Sequence, residues 1–235
     1  MKRNFISLFT IVAAVILVAS IPFTASGQIT LNMHQGGKVT IGLAGSDKAT
    51  IDWGDGSPVE TYSLKFSVAA FSHTYSSATP RTITITGDKI RGLVCTDLQL
   101  TSLDVSKCTA LSILDCSRNK LTSIDLSKNE ALRHLTCTNN QLTNIDVSNI
   151  TWIAHIRCSH NQLAKLDLSN NVGIKNLYCD NNQLQAAEMG NFLRSLHRNV
   201  INGGKSITIA DNPGLTPANA SLAREVGWTV REAIN

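Results

Sequence analysis

Five cysteines stand at a constant step of 21 residues: Cys95, Cys116, Cys137, Cys158 and Cys179. Asp104, Asp125, Asp146 and Asp167 keep the same step, with Glu188 in the next place, and so do Asn119, Asn140, Asn161 and Asn182. Thiols in series raise disulfides or a soft metal, and carboxylates in series raise a hard cation such as calcium. Metal ligands must converge on a point, whereas a fixed step along a stack sets side chains out in a line. The thiols therefore read as buried, inert, small apolar groups. Cys108 stands outside the ladder, in a turn where other copies have Asn129, Ile150 and Asn171, and is expected to be the more reactive thiol. Calcium-binding repeats bring Gly-rich turns with several ligands each, and these turns lack them. Ser106, Ser127, Ser148 and Ser169, with nearby Lys107, Lys128 and Lys165, offset the stacked carboxylates instead. His134 and His155 lie one step apart with Asp115 near, a set that suggests zinc, but an open sheet excludes little water. No catalytic residue, metal or cofactor is assigned, and the expectation is a protein that is not an enzyme.

The elements that must position these residues are copies of one unit. From Leu111 the chain reads LSILDCSRNKLTSIDLSKNEA, and from Leu132 LRHLTCTNNQLTNIDVSNITW. Copies also begin at Ile90 and Ile153, and a fifth opens at Ile174 and dissolves after Glu188. Self-similarity at a fixed period of 20 to 50 residues marks stacked repeats. In L-x-x-L-x-C, Leu114 and Cys116 alternate with Asp115 at the period of a strand. Successive strands are expected to pair in parallel, about 4.8 Å apart. Leu121, Ile124 and Leu126 close the turn from its other side, and 21 residues leave room there only for extended chain or a short 3₁₀ turn. A buried Asn at each bend supplies donors and an acceptor to backbone that no strand pairs. Loss of that amide is expected to cost most at Asn140, in mid-stack, and less at Asn182. Leu98 stands in its place in the first copy.

The flanks have other textures. Lys2 and Arg3 precede an uncharged run to Gly27, with Pro22 and Ala25-Ser26-Gly27 at its exit, which reads as a cleaved secretory leader over 1–27. Those two residues carry half of the formal +4, so steering towards nucleic acid is not expected. Residues 28–89 hold short β-prone runs between Gly and Ser turns, the pattern of a small β-sandwich. Beyond the repeats (90–187), residues 188–235 read as helix, strand, Asn212-Pro213-Gly214 turn and helix, a capping subdomain of the kind that open stacks need. The fold class is mainly β: a short leucine-rich repeat solenoid of five turns, with a β-sandwich before it and an α/β cap after it.

Two stretches carry a resemblance. ATIDWGDGS and the later FSHTYSSATPRTITITGD resemble the PKD-type immunoglobulin-like domain, through Trp53, Gly54, Asp55, Gly56, His73, Thr74 and Tyr75. TSLDVSKCTALSILDCSRNK, with the closing NPG and GWTV, extends the likeness over nearly the whole chain. The order of parts resembles exported leucine-rich repeat proteins of Bacteroidetes, a class akin to the internalin-like repeats. That resemblance implies an exported protein, secreted, periplasmic or on the cell surface, with a role in adhesion or recognition. Asp52 and Asp55 could hold a cation, though Asp beside Gly is ordinary turn chemistry. His73 has no Ser or Cys partner that the sequence can show.

The outward strand positions give the functional expectation. They form three columns: Gly92, Ile113, His134, His155, Asn176; Val94, Asp115, Thr136, Arg157, Tyr178; and Thr96, Ser117, Thr138, Ser159, Asp180. Core ladders need sameness, whereas a recognition surface needs difference, and these columns differ from copy to copy. Asp115, His134, Thr136, His155, Arg157, Tyr178 and Asp180 are the candidate binding residues on a presumed concave face. The partner is expected to be a protein, on a host or neighbouring cell surface, with no nucleic acid and no membrane span once the leader is gone. The alternative is a carbohydrate-binding module, which usually wants several exposed aromatics. The chain has Trp 3 and Tyr 3 in all.

Overall fold

The computed structural model describes residues 27–196 and 204–231; the leader read at the N-terminus lies outside them. The fold is mainly β, with two sheets and two helices. Strands β1 (Gln28–Met33), β2 (Gly37–Gly45), β3 (Lys48–Asp52), β4 (Glu60–Ser63), β5 (Ala69–Tyr75) and β6 (Arg81–Thr86) come first. Their alternation aims Ile29, Leu31, Ile41, Leu43, Ile51, Ile83 and Ile85 inward, each fully buried, in the pattern of sheets with one face on a core.

The first repeat copy belongs to both sheets. Its strand β7 (Ile90–Val94) pairs antiparallel with β2 on one side and parallel with β9 (Ile113–Asp115) on the other. Its second half, β8 (Ser102–Asp104), pairs antiparallel with β1, which completes a five-stranded sheet in the order β4-β3-β6-β1-β8. The boundary read at residue 89 is therefore crossed by hydrogen-bonded sheet on both layers. A stack end that would expose a row of unpaired backbone is covered this way.

Strands β10 (His134–Thr136), β11 (His155–Arg157) and β12 (Asn176–Tyr178) follow in parallel, each paired in register at the 21-residue step. Their inward residues Leu114, Leu135, Ile156 and Leu177 are buried, as is every ladder cysteine. Opposite the strands, each of the first four copies makes tight backbone bonds across three residues, Asn129 N to Leu126 O (3.0 Å) and Leu132 N to Asn129 O (3.0 Å) among them. These are single 3₁₀-type turns, the form that the copy length allows.

The chain then leaves the sheet through α1 (Ala186–Ser195) and returns as β13 (Lys205–Thr208), α2 (Pro217–Glu225) and β14 (Trp228–Arg231). Met189, Phe192 and Leu193 form the buried stripe of α1. Thr216 caps α2 by accepting from Asn219 N, and Pro217 occupies its first turn, where a missing N–H costs nothing. Strands β13 and β14 join the parallel ladder, so the nine-stranded sheet runs β14-β13-β12-β11-β10-β9-β7-β2-β5. The C-terminal segment thus continues the stack as well as closing it. Leu177 pairs with Ile207, and Ile209, also buried, takes the place of the next cysteine. Among the described residues, no helix is long and apolar enough to cross a membrane.

Candidate functional site

Backbone bends set up the strand face. Just before each bend Asn, and before Leu98 in the first copy, stands a residue in the left-handed region: Asp97 (φ 58°), Arg118 (56°), Asn139 (57°), His160 (55°), Asn181 (53°) and Asp211 (53°). Asp, Asn and His tolerate that region better than other side chains, and Arg118 is the exception. The Asn that follows holds the bend. Asn140 Oδ1 accepts from Leu121 N (3.0 Å), and its Nδ2 donates to Cys116 O and Cys137 O, both at 3.0 Å. Asn161 and Asn182 repeat the scheme one and two turns on. Asn212 extends it: Oδ1 accepts from Leu184 N (3.2 Å), and Nδ2 donates to Cys179 O and Ile209 O. This rung was missed in the sequence because 30 residues, not 21, separate it from Asn182. The spacing I-x-I-x-x-N over Ile207, Ile209 and Asn212 was the signal that could have found it.

With the bends fixed, the short strands turn alternate side chains to solvent. His134 and His155 stack at 4.6 Å with their rings 10° from parallel. His155 Nδ1 meets Asn176 Nδ2 at 2.9 Å, while Asn176 Oδ1 accepts from Ser206 Oγ (2.7 Å). With its amide so oriented, Asn176 donates to the ring, which places the neutral His155 proton on Nε2. Partial burial, then the charges of His134, Lys175 and Arg157, depress the His155 pKa. The Arg157 guanidinium lies over the Tyr178 ring, with Cζ 4.8 Å from its centre. Arg157 is exposed, and Tyr178 and Thr136 are half-buried. Asp115 Oδ1 accepts from Ser117 N (3.0 Å) and from the Ser117 hydroxyl.

Three members of the expected columns, Gly92, Ser159 and Asp180, lie below the face. Gly92 is buried, and a Cβ there would meet Ala44 Cβ at 3.0 Å. Asp180 is 6% exposed and accepts from Ser159 Oγ and Thr208 Oγ1, both at 2.7 Å. Burial pushes its pKa up, but these hydrogen bonds outweigh it and hold the carboxyl below its ordinary value. Asp180 is thus a joint between the last full copy and β13 rather than a surface contact. The face brings together Asp115, His134, Thr136, His155, Arg157 and Tyr178.

The other ladders serve the stack. All six cysteines are free and buried, and burial raises every thiol pKa, to about 12 at Cys108, Cys116 and Cys158. Cys108 is no looser than the rest. It is 2% exposed, with Sγ 3.5 Å from Ile90 O, because its turn position points inward, as buried Asn129, Ile150 and Asn171 do. In the aspartate ladder each carboxylate accepts from the amide two residues on; Asp104 to Ser106, Asp125 to Ser127, Asp146 to Ser148 and Asp167 to Ser169 all measure 2.9 Å. Those Ser hydrogen bonds lower all four pKa values despite the stacked charge.

The W-G-D-G and H-T-Y stretches meet in one cluster. Asp52 and Asp55 each accept from an amide two residues on, Gly54 N (2.9 Å) and Ser57 N (3.1 Å). The second oxygen of Asp55 takes His73 Nε2 at 2.7 Å, and hydrogen bonds from Ser57 and His73 lower its pKa. His73 stacks on Trp53 at 5.2 Å, and Tyr75 OH donates to Trp53 O (2.7 Å). The cluster ties β3 to β5 across two sheets, and His73 is used in that tie.

No protein-family model and no curated protein matches the chain. Among solved structures it is similar to the functional domain of InlJ from Listeria monocytogenes, described as including a cysteine ladder. The identity is 18%, with 65% of this chain and 50% of that chain covered, at a TM-score of 0.36. This chain therefore spans about half the length of that structure.

Proposed function

We propose that residues 90–187 are a leucine-rich repeat solenoid of five 21-residue turns, headed by a PKD-like β-domain and closed by the C-terminal cap. The chain is exported, and it acts outside the cytoplasm as a non-enzymatic recognition scaffold that binds a protein through its strand face. One observation carries the reading. Within each three-residue strand the inward side chain is Leu or Ile in every copy, while the outward ones differ and hold two ordered pairs, His134 with His155 and Arg157 with Tyr178, towards solvent. Tyr and Arg are the residue types that anchor protein interfaces, and preordered anchors cost less entropy on binding.

The test is capture of a partner from the native surroundings with the leaderless chain, followed by affinity measurement on variants. Arg157→Ala and Tyr178→Ala should each cost about 2 kcal/mol, close to thirtyfold in Kd, with the fold unchanged. Lys128→Ala, exposed on the opposite side, should bind as wild type. A partner lost by Lys128→Ala and kept by both face variants would move the site to the other side of the stack. Normal binding by all three would give the site to the β-domain or the cap.

A further inference from the structure

The strand face is unevenly charged. Next to the histidine column, on the N-terminal side of the strands, Arg91, Ser112, Arg133, Ala154 and Lys175 hold equivalent places on successive copies. Cations alternate with neutral residues there, so like charges stand two rungs, about 9.6 Å, apart. That distance is near the screening length at 0.1 M salt, which makes the row tolerable without internal counter-charges. Arg91, Arg133 and Lys175 are all exposed, with Arg133 Nη1 donating to the carbonyls of Ala131 (3.1 Å) and Leu132 (2.9 Å), and Arg157 adds a fourth permanent cation three residues beyond the row in its own copy. Asp115 is the one carboxylate in this row and the two columns next to it, and its Oδ1 is engaged by Ser117.

No carboxylate among the described residues pairs with Arg157 or Lys175. The Arg157 guanidinium lies over the Tyr178 ring, and a guanidinium carries its N–H donors in one plane, the fork that takes a carboxylate through two parallel bonds. The same stacking covers a ring face that a sugar would otherwise use. The charge and geometry of the face call for an anion presented as planar carboxylates.

We propose that the strand face docks an acidic segment of its protein partner, rich in Asp or Glu and extended across the rungs. Its carboxylates meet Arg157, Lys175 and Arg133, with His134 and His155 between them. A polyproline-II-like segment advances about 3.1 Å per residue with three residues per turn, so a carboxylate at every third residue returns to the same face and, at about 9.3 Å, keeps step with cations on alternate rungs. This inference rests on the protein-recognition reading above and adds the chemistry of the partner.

The probe is a fluorescent twelve-residue glutamate peptide, titrated into the leaderless chain at low salt and read by anisotropy. A glutamine peptide of the same length and heparin, a sulfated glycan, serve as comparisons. The glutamate peptide should bind and the glutamine peptide should not. Arg157→Gln and Lys175→Gln should each weaken binding about tenfold, as loss of a charge-assisted contact does. Lys128→Gln should leave binding unchanged, and thermal melts should match wild type throughout. The proposal is overturned if the Arg157→Gln/Lys175→Gln double variant binds the glutamate peptide as wild type does. Heparin binding that depends on these residues, with no glutamate binding, overturns it in favour of a glycan. A captured partner that needs Tyr178 but neither cation overturns the acidic segment and leaves recognition by the face standing. A partner indifferent to every face variant removes the recognition reading itself.

Discussion

The asparagine ladder gives an unequal prediction from near-identical residues. In Asn140→Ala, Leu121 N loses the Asn140 Oδ1 acceptor, but neither carbonyl is left bare, since Asn119 also donates to Cys116 O (2.9 Å) and Asn161 to Cys137 O (3.0 Å). One orphaned buried amide costs about 1–3 kcal/mol, and two weakened carbonyl contacts bring the loss to about 2–4 kcal/mol. Asn119 carries more. Its Oδ1 accepts from both Leu98 N and Leu100 N at 3.0 Å, because Leu98 holds the place of an Asn in the first copy. Its Nδ2 donates to Cys95 O at 2.8 Å, a carbonyl that no second asparagine among the described residues reaches. Asn119→Ala should therefore cost roughly twice as much as Asn140→Ala, a large part of a typical stability of about 5–15 kcal/mol. Asn182, expected from its place near the cap to matter less, should equal Asn140, since Asn212 shares Cys179 O with it. Urea titrations followed by circular dichroism measure all three, with the slope checked for constancy. If Asn119→Ala costs no more than Asn140→Ala, the shared-carbonyl account is refuted.

All six thiols, Cys108 included, should resist alkylation in the native chain and react after unfolding without reductant; mass spectrometry counts them. Gly54 and Gly56 both have positive φ (74° and 84°), but a Cβ at Gly54 would sit 2.1 Å from Thr82 O, whereas none at Gly56 meets anything within 4 Å. Gly56→Ala should cost about 1–2 kcal/mol of left-handed strain, and Gly54→Ala well beyond that, read as the difference in urea midpoints. Arg118→Asn should stabilise by up to about 1 kcal/mol, because Asn replaces the one poorly suited residue in the left-handed row; a lower midpoint would contradict this.

Local periodicity made the strands legible, since Leu114 and Cys116 recur against Asp115 in a pattern that any one copy displays and the next confirms. The Asn role was legible too, because a buried amide in a bend has few other uses. Pairings distant in sequence were not. Nothing in Ser102–Asp104 announces that it will join Gln28–Met33, and that pairing makes the first copy part of both sheets. Asp180 read as outward because its column is outward in earlier copies. Its burial depends on Thr208, which arrives from a strand outside the 21-residue register. Cys108 read as the more reactive thiol because its neighbours are turn residues, though Ile150 in the equivalent place already marked the position as inward.

The ladders explain why the outward columns are free to vary. At the ladder bends each turn's buried polar groups are met by its neighbour: Asn140 accepts from Leu121 N of its own turn's predecessor and donates to Cys116 O behind it, and Asn161 does the same one rung on. Stability in such a stack is a sum of nearest-neighbour contacts made by inward and bend residues. Replacing His134 or Arg157 disturbs none of those contacts, so substitutions on the face alter what it meets and leave the stack standing. The cost of this arrangement falls at the two ends, where a neighbour is missing. At one end β2 pairs β7 and β1 pairs β8; at the other, β13 pairs β12 and Asn212 supplies the last bend. Truncation at either end would therefore damage the fold through the same unpaired groups that the face variants leave untouched.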